Sequence, residues 1–346
     1  MKTIIVTGSG GLIGKESVEY FLSKGYRIIG IDNNQRKYFF GEDGSVQQSI
    51  DKLKHANYIH RNIDIRSYTD LEAIFSQYRD SIVGIIHCAA QPSHDWAAKE
   101  PFTDFHINAT STLNLLELTR KYCADAVFIF MSTNKVYGDN PNTLPFIELE
   151  TRYDLHNEHI YYHGLDENFS VDRTKHSLFG CSKLAADVYV QEYGKYFGLK
   201  TVTFRGGCLT GSKHSGAELH GFLNYLVKCN KERRVYNMFG YKGKQVRDNI
   251  HSLDLVAAFD CVINNPKSGE VYNVGGCRHS NCSIIEAINI IENITGIKTE
   301  VNYIDTNRIG DHIWWISDMS KFKHHYPQWE HKYTITDIIS EIVENI

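Results

Sequence analysis

Proline is scarce, at six residues in 346. No Pro-, Gly- or Ser-rich run separates the periodic segments, and no internal repeat is visible, so flexible linkers and repeat arrays are excluded. No apolar stretch approaches the ~20 residues needed to span a bilayer. No basic run stands out, and the formal net charge is −4, from 37 Lys and Arg against 41 Asp and Glu. Binding to nucleic acid or to a membrane surface therefore has no electrostatic support. The eight cysteines are scattered, with no CxxC pair. Of the 17 histidines only His159 and His163 stand four apart, and no HExxH accompanies them, so no metal site is expected. Met1-Lys2-Thr3 runs straight into a strand pattern, without an apolar leader and cleavage site. Together with the unpaired cysteine pattern, this predicts a cytoplasmic location.

What is present is ordinary globular composition, 42% hydrophobic and 23% charged, and a clear alternation. Residues 3–7, 26–31, 58–61, 83–88, 126–131 and 200–204 read as strands. Residues 12–24, 67–77, 105–122 and 180–197 have helical spacing between them. Strands alternating with helices imply βαβ units and a parallel sheet, hence an α/β fold. Later in the chain only helices are legible, at 221–230, 252–264, 283–295 and 334–346. The polar stretch 140–177 has few apolar runs and reads as a functional loop or lid.

The first strand leads into Gly8-Ser9-Gly10-Gly11-Leu12-Ile13-Gly14. Gly8 permits a tight turn, Gly11 lets a pyrophosphate approach the backbone, and Gly14 lets helix pack on strand. The helix start then offers N–H groups to the anion. Asp32 ends the second strand, 18 residues after Gly14. It is the acidic group expected on an adenosine ribose, and it favours NAD over NADP because it repels a 2′-phosphate.

Further motifs follow in order. Asp64-Ile65-Arg66 comes after the third strand and His87-Cys88-Ala89-Ala90 ends the fourth. Asn108 lies in a helix reading Asn-Ala-Thr-Ser-Thr-Leu-Asn-Leu-Leu-Glu. Ser132-Thr133-Asn134-Lys135-Val136-Tyr137-Gly138 ends the next strand, and Gly180-Cys181-Ser182-Lys183 opens the next helix. Gln245-Val246-Arg247-Asp248, His251, Asp254 and Tyr272-Asn273-Val274-Gly275-Gly276 come later. In this order, over nearly the whole chain, they resemble the extended short-chain dehydrogenase/reductase superfamily, the nucleotide-sugar epimerases and dehydratases. Residues 132–139, Glu150-Thr151-Arg152-Tyr153, 243–248 and the long segment between Tyr137 and Lys183 are similar to the CDP-paratose 2-epimerase (tyvelose epimerase) group. That group holds NAD tightly, oxidises the sugar at C2 and returns the hydride to the other face.

The resemblance implies a Rossmann-type doubly wound parallel sheet in residues 1–205, with 244–270 returning to it. A smaller mixed α/β lobe for the nucleotide sugar would come from 206–243 and 271–346. Gly8, Gly11, Leu12, Ile13, Gly14, Asp32 and Asn33 would hold the adenosine diphosphate half of NAD. Asp64 and Ile65 would flank the adenine, Ala89 and Ala90 would line the cofactor, and Asn108 would be a structural or cofactor-side polar residue. Thr133 would bond the reacting hydroxyl, and Lys183 the nicotinamide ribose. Gln91, Asn134, Arg205, Lys213, His214, Arg247 and Arg308 would contact the substrate, the last two arginines clamping its diphosphate. A homodimer through helices 105–122 and 180–197 is implied, and surface polysaccharide synthesis is the expected context.

Two departures stand out. The superfamily signature is YxxxK, whereas this chain reads Phe179-Gly180-Cys181-Ser182-Lys183. The lysine keeps its helix face, but a phenyl ring cannot take a proton, a service worth roughly 10²–10⁴-fold. Three readings remain open: another group is the base, an original tyrosine has been replaced, or the chain only binds a nucleotide sugar. Lys135, Tyr162 and His176 are candidate bases, each equally readable as a structural or solvent-facing side chain. After Arg205 the chain also lacks the Tyr-Gly-x-Arg-Gln pattern of relatives, which leaves the sugar open. A 4,6-dehydratase or a simple sugar oxidoreductase on the same cofactor is an alternative reading, although Asn134-Lys135 stands where a dehydratase wants an Asp-Glu pair.

Overall fold

Short strands alternating with helices build most of the central sheet. The computed structural model describes residues 1–213, 221–308 and 310–346. The strands are β1 (Thr3–Thr7), β2 (Arg27–Ile31), β3 (Tyr58–Arg61), β4 (Ile82–His87) and β5 (Val127–Thr133), joined by Lys200–Gly206 and Glu270–Val274. Across the seven-stranded sheet the order is 270–274, 200–206, β5, β4, β1, β2, β3. Neighbours among β1 to β5 pair in parallel. This is the doubly wound order, in which β1 and β4 leave a crevice at their carboxyl ends. All five residues of β1 are buried, as a sheet covered on both faces requires. Ile5, Ile29, Ile85 and Phe128 pack with Leu71, Phe75, Leu115, Leu118 and Val190 from the helices 68–78, 111–122 and 178–197.

The helix expected at 105–122 is made differently. An α-turn at Pro101–Phe105, with Pro101 in the first turn, passes into a wide π-type turn at His106–Thr110 and then into the helix Ser111–Tyr122. Such wide turns mark places where a side chain is re-aimed, and Asn108 lies in this one.

The chain divides into two compact units: residues 1–136, 178–205 and 256–272, and residues 137–177, 206–255 and 273–346. The expected boundaries differ at 137–177, at 244–255 and, by two residues, at 271–272. Residues 137–177 lie in the second unit, because Leu165 exchanges main-chain bonds with Ile316 and Asp318 (2.8 and 2.9 Å) and Asp154 takes both arms of Arg278 at 2.8 Å. Of 244–270, only 256–270 belongs to the first unit. Strand Val246–His251 pairs antiparallel with Asn281–Ser283 and parallel with both Trp314–Trp315 and Cys208–Thr210.

The polar stretch 140–177 contains a hairpin, Phe146–Glu148 with Tyr153–Leu155. The helices Phe222–Lys231, Ile284–Thr295 and Ile335–Asn345 bury Leu226, Ile291, Ile338 and Ile342 in a second core. Capping boxes at Ser283/Glu286 and Thr334/Asp337 start two of them. Trp314 and Trp315 are fully buried, so the tandem tryptophan is core.

Candidate active site

β1 delivers the chain into the glycine turn. Gly8 has φ of +70°, and a Cβ there would lie 2.8 Å from the Ala89 nitrogen; one at Gly14 would lie 2.0 Å from the Gly8 carbonyl oxygen. Both positions exclude a side chain on steric grounds alone. At Gly11 a Cβ would meet only the Gly8 carbonyl, at 3.4 Å. The open space over Gly11 and the start of the helix at Leu12, where main-chain N–H groups lack helical partners, fit a dinucleotide pyrophosphate. Ile13 is buried beneath this turn.

Asp32, just after β2, accepts N–H bonds from Gly10 at 2.9 Å and Asn34 at 2.8 Å. Burial raises its carboxyl above the usual range, against the pull of those N–H groups, His60 and Arg36. Burial likewise brings Arg36 down to about 10, with Asp32 opposing. Each Asp32 oxygen retains acceptor capacity for a ribose hydroxyl. Asn33 is exposed and accepts from the Gln35 N–H at 3.2 Å, a turn-shaping contact.

Asp64 is forked by Arg66, with Nε to Oδ1 at 3.0 Å and Nη2 to Oδ2 at 2.6 Å. Burial favours the neutral acid, yet the Arg66 bonds hold the carboxyl below its usual range. Ile65 beside it is buried. At the end of β4, Thr7 Oγ1 meets His87 Nδ1 at 2.7 Å and accepts from the Ala89 N–H at 3.2 Å, while His87 Nε2 meets Thr112 Oγ1 at 3.0 Å. Burial, and then the Lys183 charge, push His87 down to about 3. Its imidazole is therefore a neutral brace under Ala89. Ala90 is half-buried.

Asn108 accepts from the Gln91 N–H and donates to the Gln91 carbonyl, both at 3.0 Å, and also reaches Asp104 and Ser182. Of its two sequence roles, structural or cofactor-side, these bonds are the structural one. Gln91 is a correction. Its side chain donates to the Ser93 carbonyl and to Asp104, both at 2.8 Å, and accepts from the Ser93 N–H at 2.5 Å, with 1% of its surface exposed. Those bonds commit the amide to bracing its loop, and a substrate cannot reach it. Arg205 is the second correction. Its Nε and Nη2 fork onto the buried Asp187 at 3.0 Å each, and Asp187 also accepts from Ser132 at 2.6 Å.

Thr133 closes β5 and accepts from the Lys135 N–H at 3.2 Å; its hydroxyl points to Asn134 Oδ1 at 3.4 Å. Lys183 lies on the helix Leu178–Phe197, 3% exposed, with Nζ donating to the Met131 carbonyl at 2.7 Å and standing 4.1 Å from the centre of the Phe130 ring. Burial lowers its ammonium to about 8, with Asp187, Cys88 and Asp104 opposing. Phe179, one turn earlier, is buried. Thr133, Asn134, Lys135, Phe179 and Lys183 all belong to the first unit.

Tyr162, His176, Lys213, Arg247 and Arg308 belong to the second unit. The Arg278 guanidinium covers the Tyr162 ring at 3.9 Å and donates to its carbonyl at 2.7 Å. Arg247 is nearly buried, pairs with Asp311, and donates to the Val246 carbonyl at 2.7 Å. His176, Lys213 and Arg308 are half-buried. His214 lies outside the described residues. Sequence reasoning missed His94, whose ring meets Phe179 edge-on with centroids 5.2 Å apart. No spacing rule links positions 94 and 179; only the fold does.

The sheet order, the glycine turn and the carboxylate after β2 define a Rossmann-type nucleotide-binding chain. Residues 4–275 match the NAD dependent epimerase/dehydratase family, and the chain belongs to that family. It is 31% identical over 302 residues to CDP-paratose 2-epimerase of Salmonella typhi, covering 85% of each chain. Among solved structures it is similar to a UDP-glucose 4-epimerase with UDP-glucose from Thermotoga maritima, at 25% identity and TM-score 0.78, covering 99% and 98% of the two chains. A dTDP-glucose 4,6-dehydratase from Bacillus anthracis in complex with NAD shares the fold, at 24% identity and TM-score 0.75, covering 99% and 96%. The chain is an enzyme of the NAD-dependent epimerase type, with NAD as its cofactor. Among the described residues no helix is long and apolar enough to cross a membrane, and no group of His, Cys, Asp and Glu could hold a metal ion.

Proposed function

We propose that this enzyme inverts C2 of a CDP-hexose by transient oxidation. The observation that carries catalysis is Lys183, buried against β5 two residues before Thr133. The likeness to CDP-paratose 2-epimerase supports the choice of nucleotide and carbon. NAD, when bound, takes a hydride from the sugar carbon and returns it to the opposite face. Gly8, Gly11, Leu12, Ile13, Gly14 and Asp32 would hold its adenosine diphosphate half, with Asp64 and Ile65 flanking the adenine, and Ala89 and Ala90 would lie near its diphosphate and ribose. Lys183 bonds the nicotinamide ribose, and its charge favours loss of the hydroxyl proton. Thr133 orients that hydroxyl. Arg247 and Arg308 would clamp the nucleotide diphosphate, Lys213 would contact a phosphate or the base, and Asn134 would contact the substrate.

The chain acts as a cytoplasmic homodimer. Leu178, Val188, Tyr189, Tyr196 and Phe197 expose apolar surface along one helix, with Phe102 and Phe105 on another, and such surface favours burial by a second copy. Surface polysaccharide synthesis is the context. A second reading, a catalytically silent nucleotide-sugar binder, is favoured by one observation, the phenyl ring at position 179.

NMR of the purified protein with CDP-, GDP-, UDP- and dTDP-hexoses in D₂O separates the two. The epimerase reading expects a new epimer without deuterium at the inverted carbon. Binding of a nucleotide sugar with no turnover would leave the silent binder or a replaced tyrosine, and Phe179→Tyr would separate those two.

A further inference from the structure

Position 179 lacks a hydroxyl, but it does not lack a titratable neighbour. The His94 and Phe179 rings meet at 5.2 Å with an interplanar angle of 76°, and one turn of the helix separates Phe179 from Lys183. His94 opens the short helix His94–Lys99, which Ser93 caps by accepting from the Trp96 N–H. Gln91 grips Ser93 at both its N–H and its carbonyl. Asn108 grips Gln91 in the same way and donates to Ser182, the residue before Lys183, at 3.1 Å. A single chain of buried bonds thus fixes the loop that presents His94 to the helix that carries Phe179 and Lys183. Buried polar networks of this kind rigidify when every member is satisfied.

We propose that His94 is the general base that replaces the absent hydroxyl at position 179. The inference rests on the epimerase reading above. Imidazole is the side chain most often used for general acid–base work, and it can both take and return a proton, which a phenyl ring cannot. The other titratable groups nearby serve poorly. His87 has both ring nitrogens engaged by Thr7 and Thr112, and burial pushes the Cys88 thiol up to about 12. Around His94, Asp95 and Lys99 lie on its own helix, Asp104 on the segment 101–105, and Cys181 and Lys183 on the helix 178–197. Asp104 is tied to Gln91 and Asn108, and Lys183 to Met131.

In the step assigned to His94 the sugar O–H bond breaks and its proton goes to an imidazole nitrogen. The electron pair left on oxygen closes the carbonyl as the neighbouring C–H pair leaves for NAD. The imidazolium returns the same proton when the C–H bond re-forms, so there is no net oxidation.

The test uses the NAD-loaded enzyme, the variants His94→Gln and His94→Gln/Phe179→Tyr, and the same CDP-, GDP-, UDP- and dTDP-hexoses. His94→Gln is expected to lower turnover at least about 10²-fold with NAD content unchanged. The added tyrosine is expected to restore most of it and to change the pH–rate profile, because a different group then takes the proton. A readout independent of turnover is the His94 Cε1 proton resonance, assigned by its absence in His94→Gln or His94→Asn. It is expected to shift when nucleotide sugar is added and to stay put with CDP, GDP, UDP or dTDP alone. An active parent with an equally active His94→Gln, or a resonance blind to the sugar, overturns His94 as the base and leaves the epimerase reading intact. A parent that converts none of the sugars overturns the epimerase reading, and the base with it.

Discussion

The ammonium of Lys183 donates to the Met131 carbonyl at 2.7 Å, on the strand that ends in Thr133. A cation held this deep is penalised by lost hydration, which is why burial brings it down to about 8. The sign follows from linkage. Between pH 8 and the ordinary lysine value of about 10.4 the unfolded chain binds more protons, so stability rises with pH across that window. Lys183→Met removes the penalty. Urea unfolding of NAD-free protein at pH 7 should find the variant more stable by about 1–2 kcal/mol, with turnover lost. Parallel pH slopes for parent and variant between pH 8 and 10 would refute this account.

Arg205 is predicted to matter for stability and not for substrate affinity. Removing one partner from a buried ion pair leaves the other charge uncompensated, at about 3–5 kcal/mol. Arg205→Met should therefore lower the urea midpoint sharply, while the KM of the folded fraction stays within about twofold of the parent value. The double variant Asp187→Leu/Arg205→Met should recover most of the loss. A large KM change without destabilisation would return Arg205 to the substrate.

Arg205 also illustrates what sequence leaves unread. β1, β2, β4 and β5 were legible because they are buried on both faces and read as unbroken apolar runs. The glycine turn and Asp32 were legible because their spacing is dictated by steric contact with one ligand shape. Strand Val246–His251 was not, because its side chains Arg247, Asp248, Asn249 and His251 are polar and yet buried. Arg247 pairs with Asp311, Asp248 accepts from Ser317 and Cys277, and His251 stands beside Glu341, all distant in the chain, so neither period-2 alternation nor apolarity marks the strand. The role of Gln91 was hidden for the same reason: its partners Asp104 and Asn108 come from a π-type turn and the helix before it, a deviation that no helical periodicity signals.

Asp32 should govern both cofactor affinity and cofactor choice. Its carboxylate would bond a ribose hydroxyl, and a hydrogen bond to a charged group contributes about 1.5–3 kcal/mol. Asp32→Ser should weaken NAD binding by roughly 10- to 100-fold. It also removes the negative charge facing a 2′-phosphate while leaving Arg36 in place, so NADP should gain on NAD. Calorimetric titration of both dinucleotides against NAD-free protein measures the ratio. An unchanged preference would mean that the discrimination lies elsewhere in the turn.

Asp248 supplies the opposite pH signature. Its carboxylate accepts from the Ser317 N–H at 2.8 Å and the Cys277 N–H at 3.1 Å, while Oδ1 has no partner among the described residues. A Cβ at Gly275 or Gly207 would collide with the carboxyl, at 2.0 and 2.5 Å, so those glycines make room for it. Burial raises the acid to about 7, against the pull of the main-chain bonds. Between the ordinary value of about 3.9 and 7 the folded state holds the extra proton, so this group's contribution to stability falls as pH rises through that window. Asp248→Asn keeps an acceptor for the two N–H groups and has no charge to bury. The stability difference between variant and parent should therefore grow in favour of the variant, by an amount of order 3 kcal/mol, from pH 4 to 7.5. Chemical denaturation at four or five pH values measures it, and a pH-independent difference would mean that Asp248 stays ionised in the folded chain.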